Sequence, residues 1–324
     1  MKRYIVATVL SVIALEVLFA IPIMVLTPLG SKVIAAVNPI PTPTPLPVLN
    51  ALGSKAPTLK SPVAYLLDAD TNDTLLSVRG TERRPMASTT KIMTAIIALQ
   101  TGNPAQIVTV KQDAVTEVVK NIGSNARLKV GDKLSLIDML YGLMLPSGDD
   151  AAIAIADTLS GSAANFVKTM NQYAHKLHLN NTHYINPDGL TYYDGPNKQA
   201  DPNEYTTAAD LAQLARYALR NPIFAQIVQT QQFILPASHD HGAYDWVNTN
   251  ETLYTYPGML GVKTGYTVEA GYCLVFAARN ATHMLIGVVM QEKNANDRFS
   301  DAPTLLNWGM SLPLAEPTPV VKHK

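Results

Sequence analysis

Toward the end of the chain three strand-like runs stand almost back to back: "GMLGVKTGYT" (258–267), "GYCLVFAARN" (271–280) and "HMLIGVVMQ" (283–291). They are rich in β-branched and aromatic residues, and the first turn between them contains Glu269, Ala270 and Gly271. Such short connections exclude the crossover that parallel neighbours need, so the runs form an antiparallel meander. Near the other end, "VAYLLDADTNDTLLSVRG" (63–80) sets two apolar runs around a turn of Asp, Asn and Thr and reads as a β-hairpin. Between these ends the period is helical. Residues 88–100, "LSLIDMLYGLML", "DDAAIAIADTLSG", "SAANFVKTMNQYAHKLHL" and "TTAADLAQLARYAL" each read as a helix, the last capped by Thr206 or Thr207. A final helix is expected over "APTLLNWGMSL" (302–312). Strands at both ends with helices between them predict an α+β domain, an antiparallel sheet packed with a helical region.

The globular pattern does not start at residue 1. Lys2 and Arg3 precede "YIVATVLSVIALEVLFAIPIMVL" (4–26), an apolar run that would span roughly 34 Å as a helix, enough to cross a bilayer. It is longer than the apolar core of a secretory signal, so residues 1–27 read as an uncleaved anchor with its positive end inside and the remainder exported, or as a signal segment if cleaved. Residues 28–61, containing "NPIPTPTPLP", form a proline-rich linker. The catalytic domain is expected over 62–312, with a short tail over 313–324. The single cysteine, Cys273, excludes an intramolecular disulfide. Twenty-five basic residues balance twenty-five acidic ones without long blocks of either sign, so nothing points to nucleic acid. Asp68, Asp70 and Asn72 begin like a calcium loop, but Asp73 stands where glycine is needed and Arg79 where the closing glutamate belongs, so the stretch reads as a solvated turn. No metal is expected.

Three short motifs carry chemistry. "MASTTKIMTA" (86–95) sets Ser88 three residues before Lys91, a spacing that brings both side chains to one helical face. A serine hydroxyl needs a base, and a lysine can serve once burial or a neighbouring cation lowers its pKa. "LPSGDDAA" places Ser147 and Asp149 just before a helix, and "GVKTGYT" places Lys263, Thr264 and Gly265 on a strand bounded by glycines. Taken singly, each is an ordinary helix start or strand turn. In this order, S-x-x-K, S-x-N-like and K-T-G form the signature of penicillin-binding proteins and serine β-lactamases.

From Val63 to Leu312 the chain resembles the D-alanyl-D-alanine carboxypeptidases of the low-molecular-mass penicillin-binding proteins. The resemblance runs through "MASTTKIMTA", "MLPSGDDAA", "NNTHYINPDGL", "GVKTGYTVEAGYCLV" and "RFSDAPTLLNWG". It implies a β-lactamase/transpeptidase-like fold and a serine peptidase that removes the terminal D-alanine of peptidoglycan stem peptides. It further implies that Ser88 is the nucleophile, Lys91 its base and Ser147 the group passing a proton to the leaving amine. Lys263 would supply positive charge, Thr264, Gly265 and Arg298 would meet the substrate, and the N–H groups of Ser88 and Tyr266 would form the oxyanion hole. β-Lactams would be covalent inhibitors, no cofactor is implied, and the enzyme would work on the extracytoplasmic face of a bacterial membrane. The N-terminal segment would replace the C-terminal amphipathic helix and second domain of many relatives, for which "SLPLAEPTPVVKHK" is too short.

The chain departs from the motif at Asp149, where the family usually has asparagine. A carboxylate keeps the acceptor role toward a substrate amide but loses the donor, and beside Lys91 it would favour the ammonium unless another cation engages it. Alternative readings are a DD-endopeptidase or β-lactamase on the same scaffold, and a catalytically impaired wall-binding or antibiotic-sensing domain. No E-x-x-L-N stretch of the class A β-lactamase type occurs between Ser147 and Lys263; Glu204 lies in "DPNEYTTAADLA".

Overall fold

The computed structural model describes residues 48–194 and 199–315. β1 (Val63–Asp68) and β2 (Thr74–Val78) form the expected hairpin. A 3-10 turn, Ala87–Thr90, runs into α1 (Lys91–Thr101). β3 (Ile107–Thr109) and β4 (Lys133–Ser135) pair around α2 (Gln112–Asn121). Next come α3 (Leu136–Met144), α4 (Asp149–Ser160), α5 (Ala163–Lys176), and a short ladder of β5 (Tyr193–Asp194) with β6 (Gln199–Ala200). α6 (Ala208–Ala218) is capped by Thr207, whose hydroxyl accepts from Asp210 N–H at 3.0 Å. α7 (Pro222–Gln229), a hairpin of β7 (Gln232–Leu235) and β8 (Tyr244–Val247), and the one-turn α8 (Thr252–Thr255) lead to the meander. This comprises β9 (Met259–Thr267), β10 (Gly271–Arg279) and β11 (Met284–Glu292), followed by α9 (Asp297–Met310).

One sheet joins the two ends of the domain. Its order is β2-β1-β11-β10-β9, every neighbour antiparallel, with Val63 opposite Met290 and Asp68 opposite Leu285. Both faces are covered, which explains why these strands read as nearly continuous apolar runs rather than alternating ones. Successive side chains point to opposite faces. Tyr65, Leu67, Val275, Ile286 and Val288 therefore enter the larger core against the helices, while Leu66, Leu274, Phe276, Leu285 and Val289 pack against α9. Gly287 makes room for the Phe276 ring: a Cβ there would lie 2.1 Å from it.

Two features differ from the sequence expectations. The last helix begins at Asp297 rather than at residue 302, so Pro303 lies inside it. Proline removes one ladder bond, but Asp301, Ala302, Leu305 and Leu306 are buried on either side of it, and this packing holds the helix through the gap. α2, α7 and the β7–β8 hairpin are elements that the sequence expectations do not include.

The described chain begins well inside the proline-rich stretch. Leu49 bridges Leu314, Asn50 N–H donates to Pro313 O at 2.8 Å, and Ala315 N–H donates to Val48 O at 2.7 Å. Further along, the Asp301 carboxylate receives the N–H groups of Lys60 and Ser61 at 2.9 and 2.8 Å, pinning the approach to β1 onto α9. The apolar segment 1–27, the linker up to residue 47 and the tail from residue 316 lie outside the described residues. Among the described residues no helix is long and apolar enough to cross a membrane.

Asp301→Ala leaves the buried Ser61 N–H and the part-buried Lys60 N–H without their acceptor. It is expected to lower stability by about 1–3 kcal/mol, read as a fall in the urea midpoint at unchanged m-value.

Candidate active site

Ser88 sits on the 3-10 turn rather than within the α-helix that follows. In 3-10 geometry residues i and i+3 eclipse one another, which brings Lys91 directly over Ser88. The Lys91 Nζ to Ser88 Oγ distance is 2.9 Å. Ala87 takes a positive φ of 48°, a conformation that L residues hold only under constraint. The constraint is visible on both sides. Gly189, at φ 86°, lies so close that a Cβ there would sit 2.0 Å from Ala87 O, and a Cβ on Gly265 would sit 3.2 Å from both Met86 O and Ser88 N.

Lys91 has no solvent exposure and its Nζ has three partners: Ser88 Oγ, Asp188 O at 2.6 Å, and the carboxylate of Asp149. As an ammonium it spends all three protons there. As a free amine it keeps two donors, which Asp149 and the Asp188 carbonyl accept, and a lone pair that the Ser88 hydroxyl can donate to. The geometry therefore suits the step in which a base takes the Ser88 proton.

Ser147 and Asp149 straddle the N-terminus of α4. Ser147 is buried with φ 66°, and its hydroxyl has no partner among the described residues. Asp149 N–H donates to Ser124 O at 3.0 Å, and its second carboxylate oxygen lies over Gly123, where a Cβ would come within 2.1 Å. Burial pushes the Asp149 carboxyl up, while the Lys91 charge and hydrogen bond, and then the Lys263 charge, pull it back. The cation that engages Asp149 is thus Lys91 itself, with Lys263 acting through its charge.

On β9, Lys263 is completely buried, and its Nζ donates to Thr264 O at 3.0 Å. Burial, with the Lys91 charge second, holds its ammonium well below the ordinary lysine range. Thr264 Oγ1 meets Thr249 Oγ1 at 2.6 Å. Tyr266 is half exposed and stacks on Tyr272 with centroids 4.2 Å apart. Arg298, on α9, donates to Gly265 O at 3.1 Å and to Cys273 O at 3.3 Å, its guanidinium between the Tyr272 and Phe299 rings. It braces the K-T-G strand from behind.

Ser88, Lys91 and Asp149 are thereby joined directly, and Gly265 seats β9 against the Ser88 turn. Three contributors escaped the sequence reading. The Asp188 carbonyl belongs to "NPDGL", a stretch noted for its resemblance, but a main-chain acceptor has no residue-type signature. Thr249 reaches Thr264 from a distant loop. Glu204 is buried, and burial together with Asp188 pushes its carboxyl well up in a position that still feels the Lys91 charge. The Asp68–Asp70 turn is less solvated than expected, since Asp68 is buried. Asp68, Asp70 and His283 place ligand atoms within 4.8 Å of one another, yet the carboxylates already accept from Asp70 N–H, Thr71 N–H, Met284 N–H and Arg279.

The sequence profile of the D-alanyl-D-alanine carboxypeptidase family matches residues 50–294. This chain belongs to that family. A D-alanyl-D-alanine carboxypeptidase of Streptomyces sp. strain K15 is 38% identical over 268 residues, covering 79% of this chain and 89% of the relative. The carboxypeptidase DacF of Bacillus subtilis is 33% identical, covering 76% of this chain but only 61% of the relative. The crystal structure of the Streptomyces K15 DD-transpeptidase superposes with a TM-score of 0.73 at 36% identity, covering 80% of this chain and all of that one. The fold is therefore the transpeptidase/β-lactamase-like one, and the carboxypeptidase is a serine hydrolase of the peptidoglycan-acting, penicillin-binding group.

In this carboxypeptidase Asp149→Asn removes the negative charge beside Lys91, so the amine form is reached with less opposition. The acid limb of β-lactam acylation should move to lower pH by about one unit or more, measured as the second-order acylation rate against pH. An unchanged profile would sink the assignment of that charge to the control of the base.

Proposed function

We propose that the enzyme removes the terminal D-alanine from peptidoglycan stem peptides through an acyl-enzyme on Ser88. The observation that carries this reading is the 2.9 Å approach of buried Lys91 Nζ to Ser88 Oγ, beside the K-T-G strand. Lys91 takes the hydroxyl proton as Ser88 attacks the carbonyl between the two D-alanines. The N–H groups of Ser88 and Tyr266 stabilise the oxyanion, and the close seating of Gly265 against the Ser88 turn supports that geometry. Ser147, whose hydroxyl has no other partner among the described residues, passes a proton to the leaving amine. Thr264, with Lys263 and Arg298 near it, receives the terminal carboxylate of the substrate. Water then hydrolyses the ester. β-Lactams enter by the same acylation.

Ser88→Ala is expected to lower D-alanine release from a stem-peptide mimic by at least about 10³-fold and to abolish covalent labelling by penicillin. Retained release in the variant would show that another group is the nucleophile.

We also propose that the enzyme is exported and tethered by its N-terminal segment. The reading is supported by Lys2 and Arg3 before the apolar run 4–26 and by the proline-rich spacer that follows it. Deletion of residues 1–27 should move the protein from the membrane fraction to the soluble fraction; continued membrane association would argue for a different tether.

A further inference from the structure

Three arginines line a cavity of about 520 Å³ at the far end of the sheet from the K-T-G motif. Arg216 lies in the last turn of α6, Arg220 stands two residues past its end, and Arg279 closes β10. The opposite wall is built where β1 ends and β11 begins, and backbone bonds hold it. Ala69 N–H donates to Met284 O at 2.8 Å, and Met284 N–H donates to Asp70 Oδ2 at 2.7 Å. Arg216 Nε–H donates to Ala69 O at 2.7 Å and ties the helix to that wall.

Two of the three guanidiniums are unmatched. Arg279 pairs with Asp70 at 3.2 Å. Arg216 spends only its Nε–H on the neutral Ala69 carbonyl, and its two terminal nitrogens have no partner among the described residues. The Arg220 side chain is exposed and has no hydrogen bond or ion pair among them either. Asp68, fully buried next to Asp70, is the other acidic group close by. Counting both carboxylates as charged, three positive groups face two negative ones, so the cavity stays net positive. One basic residue in a last helical turn is ordinary, since it meets the negative end of the helix dipole. Two of them four residues apart repel one another. Burial, with the Arg220 charge second, lowers the Arg216 guanidinium below the usual arginine range. An anion seated between the two relieves that repulsion.

Charge and size together indicate the occupant. A carboxylate has two oxygens and fills one guanidinium fork, whereas a phosphoryl group has three and can engage two forks at once. The volume falls within the roughly 300–1,000 Å³ of small-molecule sites, so the anion brings a carbon chain with it. Leu219, Leu260 and Met284 supply an apolar face for that chain. We infer that the cavity is a binding site for a phosphate ester, its phosphoryl group held between Arg216 and Arg220 and its carbon chain laid along Leu219, Leu260 and Met284. Such an ester is supplied either by a soluble molecule or by the headgroup of a phospholipid, and the two share the chemistry that the arginines recognise. Nothing in this inference depends on the reaction at Ser88, because the cavity lies at the opposite end of the sheet.

The test is calorimetric titration of the full-length protein, held in a non-ionic detergent. The probes are glycerol 3-phosphate, glycerate, glycerol, and dihexanoyl phosphatidylglycerol below its micellar concentration. Glycerol 3-phosphate is expected to bind with a Kd of about 1 mM or tighter, and glycerate and glycerol at least about tenfold more weakly. Arg220→Gln gives up no protein contact, so it should weaken glycerol 3-phosphate binding by about tenfold or more at an unchanged urea midpoint. Arg216→Lys keeps the charge but loses the fork, and should weaken it by about fivefold or more. Tighter binding of the lipid than of glycerol 3-phosphate assigns the ester to a phospholipid headgroup, and the reverse order assigns it to a soluble molecule; either order, lost in Arg220→Gln, supports the site. No binding of either ester up to about 10 mM, glycerate binding as well as the phosphate, or an unchanged affinity in Arg220→Gln overturns the inference.

Discussion

Lys91 ends in an ionisable amine with no access to water, and much of the domain is arranged around satisfying it. Removing the charged form of such a group from solvent costs several kcal/mol after relaxation and is tolerated only with complete hydrogen bonding. The three partners come from three separate stretches: the Ser88 turn, the start of α4 and the loop Asn186–Leu190. Each stretch is itself held. Thr94 Oγ1–H donates to Pro187 O at 2.6 Å, Asn186 Nδ2–H donates to Leu190 O at 2.7 Å, and Gly189 packs against Ala87. Positioning Lys91 and assembling the helical region are thus one requirement.

The second constraint is the two-faced sheet. β9 must stand at an edge, since the Ser88 turn lies beside it, and β10 and β11 separate it from β1. Burial of both sheet faces keeps that edge from shifting, and Arg298 anchors it from behind through the Gly265 and Cys273 carbonyls. A strand held this way can present Thr264, Gly265 and Tyr266 at fixed height opposite Ser88, the proposed nucleophile, which belongs to another layer. Pre-arranged donors of this kind need no reorganisation as charge develops.

Asp149 shows how one residue alters the balance without altering the scaffold. An asparagine there would leave two lysines, Lys91 and Lys263, in one dry site. The carboxylate instead offsets part of their charge, while burial raises its own affinity for a proton. Lys91, Asp149 and Lys263 therefore form one buried charge network, and in the proposed acylation the Ser88 proton enters that network rather than an isolated amine.

The sequence by itself determined the strand-rich ends, most helices, the hairpin, the meander and the order of Ser88–Lys91, Ser147–Asp149 and Lys263–Thr264–Gly265. Those features are local: they depend on periodicity, on turn residues and on spacings within a helical turn. Only the tertiary structure decided that β1 pairs with β11 across more than two hundred residues, that Val48–Asn50 pairs with the residues after α9, and that Asp149 engages Lys91 directly. The same is true of the Asp188 carbonyl, Thr249 and the arginine-lined cavity. The reason is physical: a main-chain acceptor looks the same in every residue, and the shape of a cavity arises from distant segments packing together. Neither leaves a mark on the spacing of side chains along the chain.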